Sequence, residues 1–87
     1  MPSIEMKTEE KVALVTGASK GIGRGIAVGL AEAGCDVGLN YNRDEAGAEA
    51  TAATIRRTGR RCFILQADVG DSRQVRAMFK QLERINH

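Results

Sequence analysis

At Lys11 the chain changes character. Ten residues that mix charged, polar and isolated apolar positions without a sustained period give way to "KVALVT", an almost wholly apolar run. Residues 1–10 therefore read as a flexible tail and residues 11–16 as a strand. Apolar residues at successive rather than alternate positions belong to a strand covered on both faces, as in a parallel sheet with helices above and below. At Gly21 the period lengthens. Ile22, Ile26, Ala27, Leu30 and Ala33 recur at helical spacing, and Gly34 stands where a helix ends in a left-handed residue. Gly25 and Gly29 fall inside this helix at a cost of about 1 kcal/mol each relative to alanine. Close packing of the helix on the sheet is the expected compensation.

The alternation then repeats. "CDVGLN", residues 35–40, reads as a second strand; Asp44 is placed to cap a thin, alanine-rich helix running to Thr58, with Gly59 ending it. "RCFILQA", residues 61–67, has the β-branched and aromatic character of a third strand and is bounded by the turn-prone "DVGDS". Asp71 and Gln74 form a capping-box pattern, after which Val75, Met78, Phe79 and Leu82 make the apolar stripe of a third helix. Strands alternating with helices imply an α/β fold, βαβαβα, with a parallel sheet and right-handed crossovers. Residues 11–87 show no repeat, linker or low-complexity tract and form one unit.

Composition narrows this picture. With two Phe, one Tyr and no Trp among 87 residues, the core must be aliphatic. A net charge of +2, spread along the chain, suggests neither a nucleic-acid surface nor a membrane-binding stripe. The opening "MPSIEMKTEE" has no apolar targeting segment, and no stretch approaches membrane-spanning length, so a cytoplasmic protein is expected. Cys35 and Cys62 lack metal-ligand spacing, and the single histidine, His87, is terminal. No metal site is expected, and both thiols read as small buried apolar residues.

The chemistry is concentrated between the first strand and the first helix, in "TGASKGIG". A turn this tight needs residues that tolerate positive φ, and a backbone that approaches a diphosphate closely has no room for Cβ atoms, which accounts for Gly17, Gly21 and Gly23. The helix that follows presents unpaired N–H groups and the positive end of its dipole. Strand, glycine turn, amphipathic helix and second strand within about 30 residues make the dinucleotide-binding arrangement. The spacing differs from the G-x-x-x-x-G-K-[ST] of nucleotide-hydrolysing P-loops. The fold expected is thus half of a doubly wound Rossmann fold, with three parallel strands in the order 3-2-1.

"TGASKGIG" resembles the cofactor loop T-G-x-x-x-G-x-G of the short-chain dehydrogenase/reductase family, and "ADV", residues 67–69, resembles that family's acidic motif after the third strand. The likeness runs from Lys11 to the end. Within the family, "NYNRDEAGAE" and "ADVGD" are most similar to the 3-oxoacyl-carrier-protein reductases and bacterial glucose dehydrogenases. The resemblance implies a nicotinamide dinucleotide whose pyrophosphate lies on Gly17, Gly21 and Gly23, with a backbone amide from Ile22. It further implies that Asp68 reaches the adenine and Val69 packs against it; the alternative for Asp68 is a loop carboxylate that stabilises the next helix.

Charge bears on the choice of cofactor. The second strand runs out through Asn40, Tyr41, Asn42 and Arg43 without an acid to accept hydrogen bonds from an adenine ribose. Ser19, Lys20 and Arg43 instead suit a 2′-phosphate, favouring NADP over the alternative, NAD; Asn42 beside them is a further cofactor-binding candidate. Asp44 is the objection, unless it caps the helix. Arg24 is expected to point away along its helix.

The family's proton donor is a tyrosine followed four residues later by lysine, assisted by a serine. Tyr41 is followed at that spacing by Glu45, and Ser3, Ser19 and Ser72 lie in the tail, the cofactor loop and a helix start. No catalytic residue is therefore assigned. The resemblance implies the amino-terminal portion of an NADP-dependent carbonyl or alcohol oxidoreductase, inactive alone. Two other readings stay open: a nucleotide-binding half-domain that acts with another chain or a missing C-terminal half, and an interaction module without ligand. Because the doubly wound order makes the first strand central, one edge of residues 12–15 is expected to be unpaired and to promote self-association.

Overall fold

The computed structural model describes residues 4–7 and 12–85. A four-stranded sheet in the order β1-β2-β3-β4 is built from β1 (Ile4–Lys7), β2 (Val12–Val15), β3 (Asp36–Tyr41) and β4 (Cys62–Gln66), with helices α1 (Gly21–Glu32), α2 (Glu45–Arg57) and α3 (Ser72–Ile85). The strands β2, β3 and β4 are parallel and adjacent, with Ala13 opposite Val37 and Val37 opposite Cys62. This is the expected βαβαβα core, with its first, second and third strands side by side.

β1 departs from expectation. Part of the stretch read as a flexible tail, residues 4–7, pairs antiparallel with β2, Ile4 opposite Val15 and Lys7 opposite Val12; the rest of that tail, residues 1–3 and 8–10, lies outside the described residues. The edge of β2 expected to be unpaired is thereby paired. Ile4, Glu5, Met6 and Lys7 do alternate apolar and charged, the period of a strand, but over four residues only; the pairing with β2 satisfies the backbone groups on both strands. The argument for self-association through that edge loses its basis.

The two faces of the sheet carry separate cores. On one, Ala27 and Ala31 of α1 and Ala48, Ala52 and Ile55 of α2 close over Val15, Val37, Leu39 and Cys62; alanines at the contact let the helices lie close to the strands. On the other, Met78 and Leu82 of α3 cover Val12, Leu14, Leu65 and Ala67. Gly38 in β3 makes room for this second layer, since a Cβ there would stand 3.1 Å from a methyl of Leu82 and 3.4 Å from one of Leu14. Val75 is half-buried and Phe79 is exposed, so the expected stripe of α3 is seated mainly through Met78 and Leu82.

Gly25 and Gly29 do not pack on the sheet as expected. Both are exposed, and a Cβ at either would meet nothing within 4 Å. They lie on the outer side of α1, where Ala27 and Ala31 make the inward contacts. The capping box before α3 also differs in detail: Asp71 accepts from the Arg73 amide at 2.9 Å, while the Gln74 side chain donates to the Asp71 carboxylate at 3.2 Å and accepts from the Asp68 amide at 2.8 Å. Both cysteines are buried and free. Burial pushes the Cys62 thiol up to about 11, with Arg56 opposing and Glu49 adding to the rise. Among the described residues, no helix is long and apolar enough to cross a membrane.

Candidate functional site

Since β2, β3 and β4 are parallel, the segments that leave them, residues 16–20, 42–44 and 67–71, emerge at one edge of the sheet. In doubly wound sheets that is the edge where ligands bind. Backbone bonds draw the segments together: the Ala18 amide donates to the Asn40 carbonyl at 3.3 Å, and the Ala67 amide to the Tyr41 carbonyl at 3.0 Å. The buried Asn40 side chain adds donations to the carbonyls of Leu65 and Ala67 at 3.2 and 3.1 Å. The Gln66 side chain donates to the Asn42 carbonyl at 3.0 Å. Asn40 and Gln66 thus align the exits of β3 and β4, a role that no sequence motif marks.

In the loop after β2, Gly17 and Gly21 have φ of 64° and 62°, a region costly to residues with a Cβ. A Cβ at either would point into open space. Gly23 differs: a Cβ there would run into the carbonyl of Gly17. Its bare Cα is needed for α1 to close against the turn, so its contribution to a phosphate site is through loop shape rather than direct clearance. Lys20 is the N-cap in extended conformation and contributes no side-chain cap. The first bond is Arg24 N–H to the Lys20 carbonyl, 3.4 Å, and the amides of Gly21, Ile22 and Gly23 ahead of it have no intrahelical acceptor to use. The Ile22 side chain is 72% exposed.

Ser19 and Lys20 come against the start of α2, immediately after Asn42 and Arg43. A Cβ on Gly47 would collide with both the Asp44 carboxylate and the Ser19 carbonyl. Asp44 caps α2 as expected, accepting from the Gly47 amide at 3.0 Å. Lys20, Asn42 and Arg43 are exposed, and among the described residues the Lys20 and Arg43 side chains make no ion pair. Asp68 and Val69 belong to the third segment. Asp68 Oδ1 accepts from the Gly70 amide at 2.8 Å, and the Asp68 carbonyl accepts from the Asp71 amide at 3.0 Å. The carboxylate therefore shapes the turn into α3, and Val69 is 54% exposed beside it.

A family model described as short chain dehydrogenase matches residues 11–86. This chain belongs to the short-chain dehydrogenase family. A 3-oxoacyl-[acyl-carrier-protein] reductase of Staphylococcus aureus is 49% identical over 72 residues, which cover 83% of this chain and 29% of that protein. A Burkholderia cenocepacia short-chain dehydrogenase solved in complex with NADP matches with a TM-score of 0.81 and 38% identity, over 87% of this chain and 31% of that one. A dehydrogenase/reductase of Sinorhizobium meliloti 1021 matches with a TM-score of 0.83 and 33% identity, over 87% and 30%. The chain spans about three-tenths of the length of these relatives.

Arg24 is the site residue that sequence reasoning missed. Instead of pointing away along α1, its guanidinium donates to the Ser19 carbonyl at 2.6 Å, to Thr51 Oγ1 at 2.8 Å and to the Gly47 carbonyl at 3.3 Å. One signal was available: a cation in the first turn of a helix opposes the dipole and needs other partners. Tyr41 shows the reverse of what a proton donor needs. Partial burial, together with the charges of Glu45 and Glu49, raises its hydroxyl above its ordinary value.

Proposed function

We propose that this chain carries the adenosine- and diphosphate-gripping part of an NADP-dependent short-chain oxidoreductase. The observation that carries the reading is the glycine turn opening α1, with the exposed cations Lys20 and Arg43 at its rim, neither of which makes an ion pair among the described residues. Gly17, Gly21 and Gly23 shape a turn that a pyrophosphate fits, and the amides of Gly21 and Ile22 face it as donors. Ser19, Lys20, Asn42 and Arg43 hold the 2′-phosphate. Asp68 and Val69 receive the adenine, using the carboxylate oxygen not engaged by Gly70.

The cofactor, when bound, supplies a hydride for carbonyl reduction or accepts one from an alcohol. The residues here bind and orient its adenosine end. The NADP complex of the Burkholderia relative supports the choice of cofactor, and the name of the Staphylococcus relative supports 3-oxoacyl groups on a carrier protein as the substrate class. A cytoplasmic setting suits two buried, unpaired thiols.

The test is calorimetric titration of the chain with NADPH and with NADH. Saturable binding that favours NADPH and weakens in Lys20→Ala and Arg43→Ala is expected. A folded chain that binds neither, or that prefers NADH, overturns the reading.

A further inference from the structure

The guanidinium of Arg24 is placed where two rims of the site meet. It grips the Ser19 carbonyl on one side and the Gly47 carbonyl and Thr51 hydroxyl on the other. Thr51 is fully buried, and its hydroxyl donates to the same Gly47 carbonyl at 2.9 Å. Ser19 and Lys20 stand on the first rim. Asn42 and Arg43 lead directly into the second through Asp44, which is itself tied to Gly47. The space between the rims is set at Gly47, where even a methyl would strike Ser19 and Asp44.

We propose that Arg24 is a positioning residue that sets the preference for a 2′-phosphorylated adenosine. It does so by fastening the Ser19–Lys20 peptide to the first turn of α2, which fixes the separation of the Lys20 and Arg43 rims. This rests on the NADP reading above. A phosphate held between two rims needs both sets of donors at their proper distance at once, whereas an unphosphorylated ribose does not. Loosening the fastening therefore costs the phosphorylated ligand selectively. A guanidinium suits the task because its planar fork serves acceptors in different directions, which a lysine ammonium on a flexible stem does poorly.

The experiment is calorimetric measurement of Kd for 2′,5′-ADP and 5′-AMP on the 87-residue chain and its variants, each checked for folding by circular dichroism. Wild type should favour 2′,5′-ADP. Arg24→Gln, which removes the fastening, and Gly47→Ala, which forces the rims apart with the guanidinium intact, should each lower that preference about tenfold, as expected for ångström-scale misplacement. Affinity for 5′-AMP should stay nearly unchanged, and Arg24→Lys should restore only part of the preference.

If either main variant does not fold, Thr51→Val, which deletes one of the three acceptors, should show a smaller loss of the same kind. In phosphorus NMR at saturation, the pH titration of the bound 2′-phosphate should shift less in Arg24→Gln, which only displaces the cations, than in Lys20→Ala, which deletes one. The inference is overturned if Arg24→Gln keeps the preference, if Gly47→Ala keeps it while Arg24→Gln loses it, or if the phosphate titration shifts in Arg24→Gln as much as in Lys20→Ala, which would make Arg24 a direct ligand. A wild-type chain that does not prefer 2′,5′-ADP identifies the NADP reading itself as what failed.

Discussion

The two ends of the parallel sheet each gather positive charge, and they use it in opposite ways. At the N-terminal end of β3 the carboxylate of Asp36, buried at 5% exposure, is enclosed by the two arginines that precede β4. Arg60 pairs with Oδ1 at 2.9 Å, Arg61 pairs with Oδ2 at 3.0 Å, and the Arg61 amide adds a bond of 3.0 Å. Burial pushes this carboxyl up, but the Arg61 amide and guanidinium bonds and the charges of both arginines outweigh it and hold it below its ordinary value of 3.8. At the C-terminal end Lys20 and Arg43 make no ion pair among the described residues, and Asp44, next to Arg43 in the chain, caps α2. The Asp36 charge is answered within the chain and fixes structure, whereas Lys20 and Arg43 beside the glycine turn stay exposed.

That contrast is broken most severely at Gly23. Gly23→Ala places a methyl against the Gly17 carbonyl, and overpacking of this kind costs about 1–3 kcal/mol; the melting temperature should fall and nucleotide binding should be lost together. Asp36→Asn should separate the two ends. It removes charge-assisted bonds worth about 1–3 kcal/mol, seen in chemical denaturation, while leaving nucleotide affinity unchanged.

The pH dependence of that loss has a definite sign. A carboxyl whose folded value is lowered contributes stability that is present above its unfolded value and disappears as the pH falls through the folded one. The gap between wild type and Asp36→Asn should therefore be constant near neutrality and close in acid below the ordinary value of 3.8. A gap that widens in acid would contradict the assignment.

Lys20→Ala and Arg43→Ala should show the mirror image of Asp36→Asn. As exposed, unpaired side chains they should change stability by less than about 0.5 kcal/mol, yet each should weaken NADPH by about tenfold, the loss of one charge-assisted phosphate contact. The smallest effect is a gain. Gly25→Ala and Gly29→Ala face open space on α1 and should each add about 0.4–1 kcal/mol by restricting the unfolded chain, measured by thermal melting.

Much of this was legible in the chain. The uninterrupted apolar run Val12–Val15 predicts a strand covered on both faces, and all four residues are buried. Asp44 was recognisable as the cap of α2, and the two cysteines as buried apolar residues. β1 was hard to read because the alternation of Ile4–Lys7 lasts only four residues, and its pairing with β2 is a contact between segments that no local period specifies. The part played by Arg24 was not legible, because its three acceptors lie 5, 23 and 27 residues away. Gly25 and Gly29 face open space rather than the sheet, because helical periodicity alone does not say which small residues turn inward.

Local pattern by itself determined the alternation of β2, β3 and β4 with the helices, hence the parallel core, and the position of the glycine turn, since these follow from side-chain period and from backbone conformations that glycine alone adopts easily. Tertiary structure decided which charges are answered and which are left at the mouth of the site. Pairing depends on distances between segments remote in sequence: Asp36 meets Arg60 and Arg61 across a strand pair, and Arg24 meets Gly47 and Thr51 across two helices. No spacing along the chain encodes those meetings.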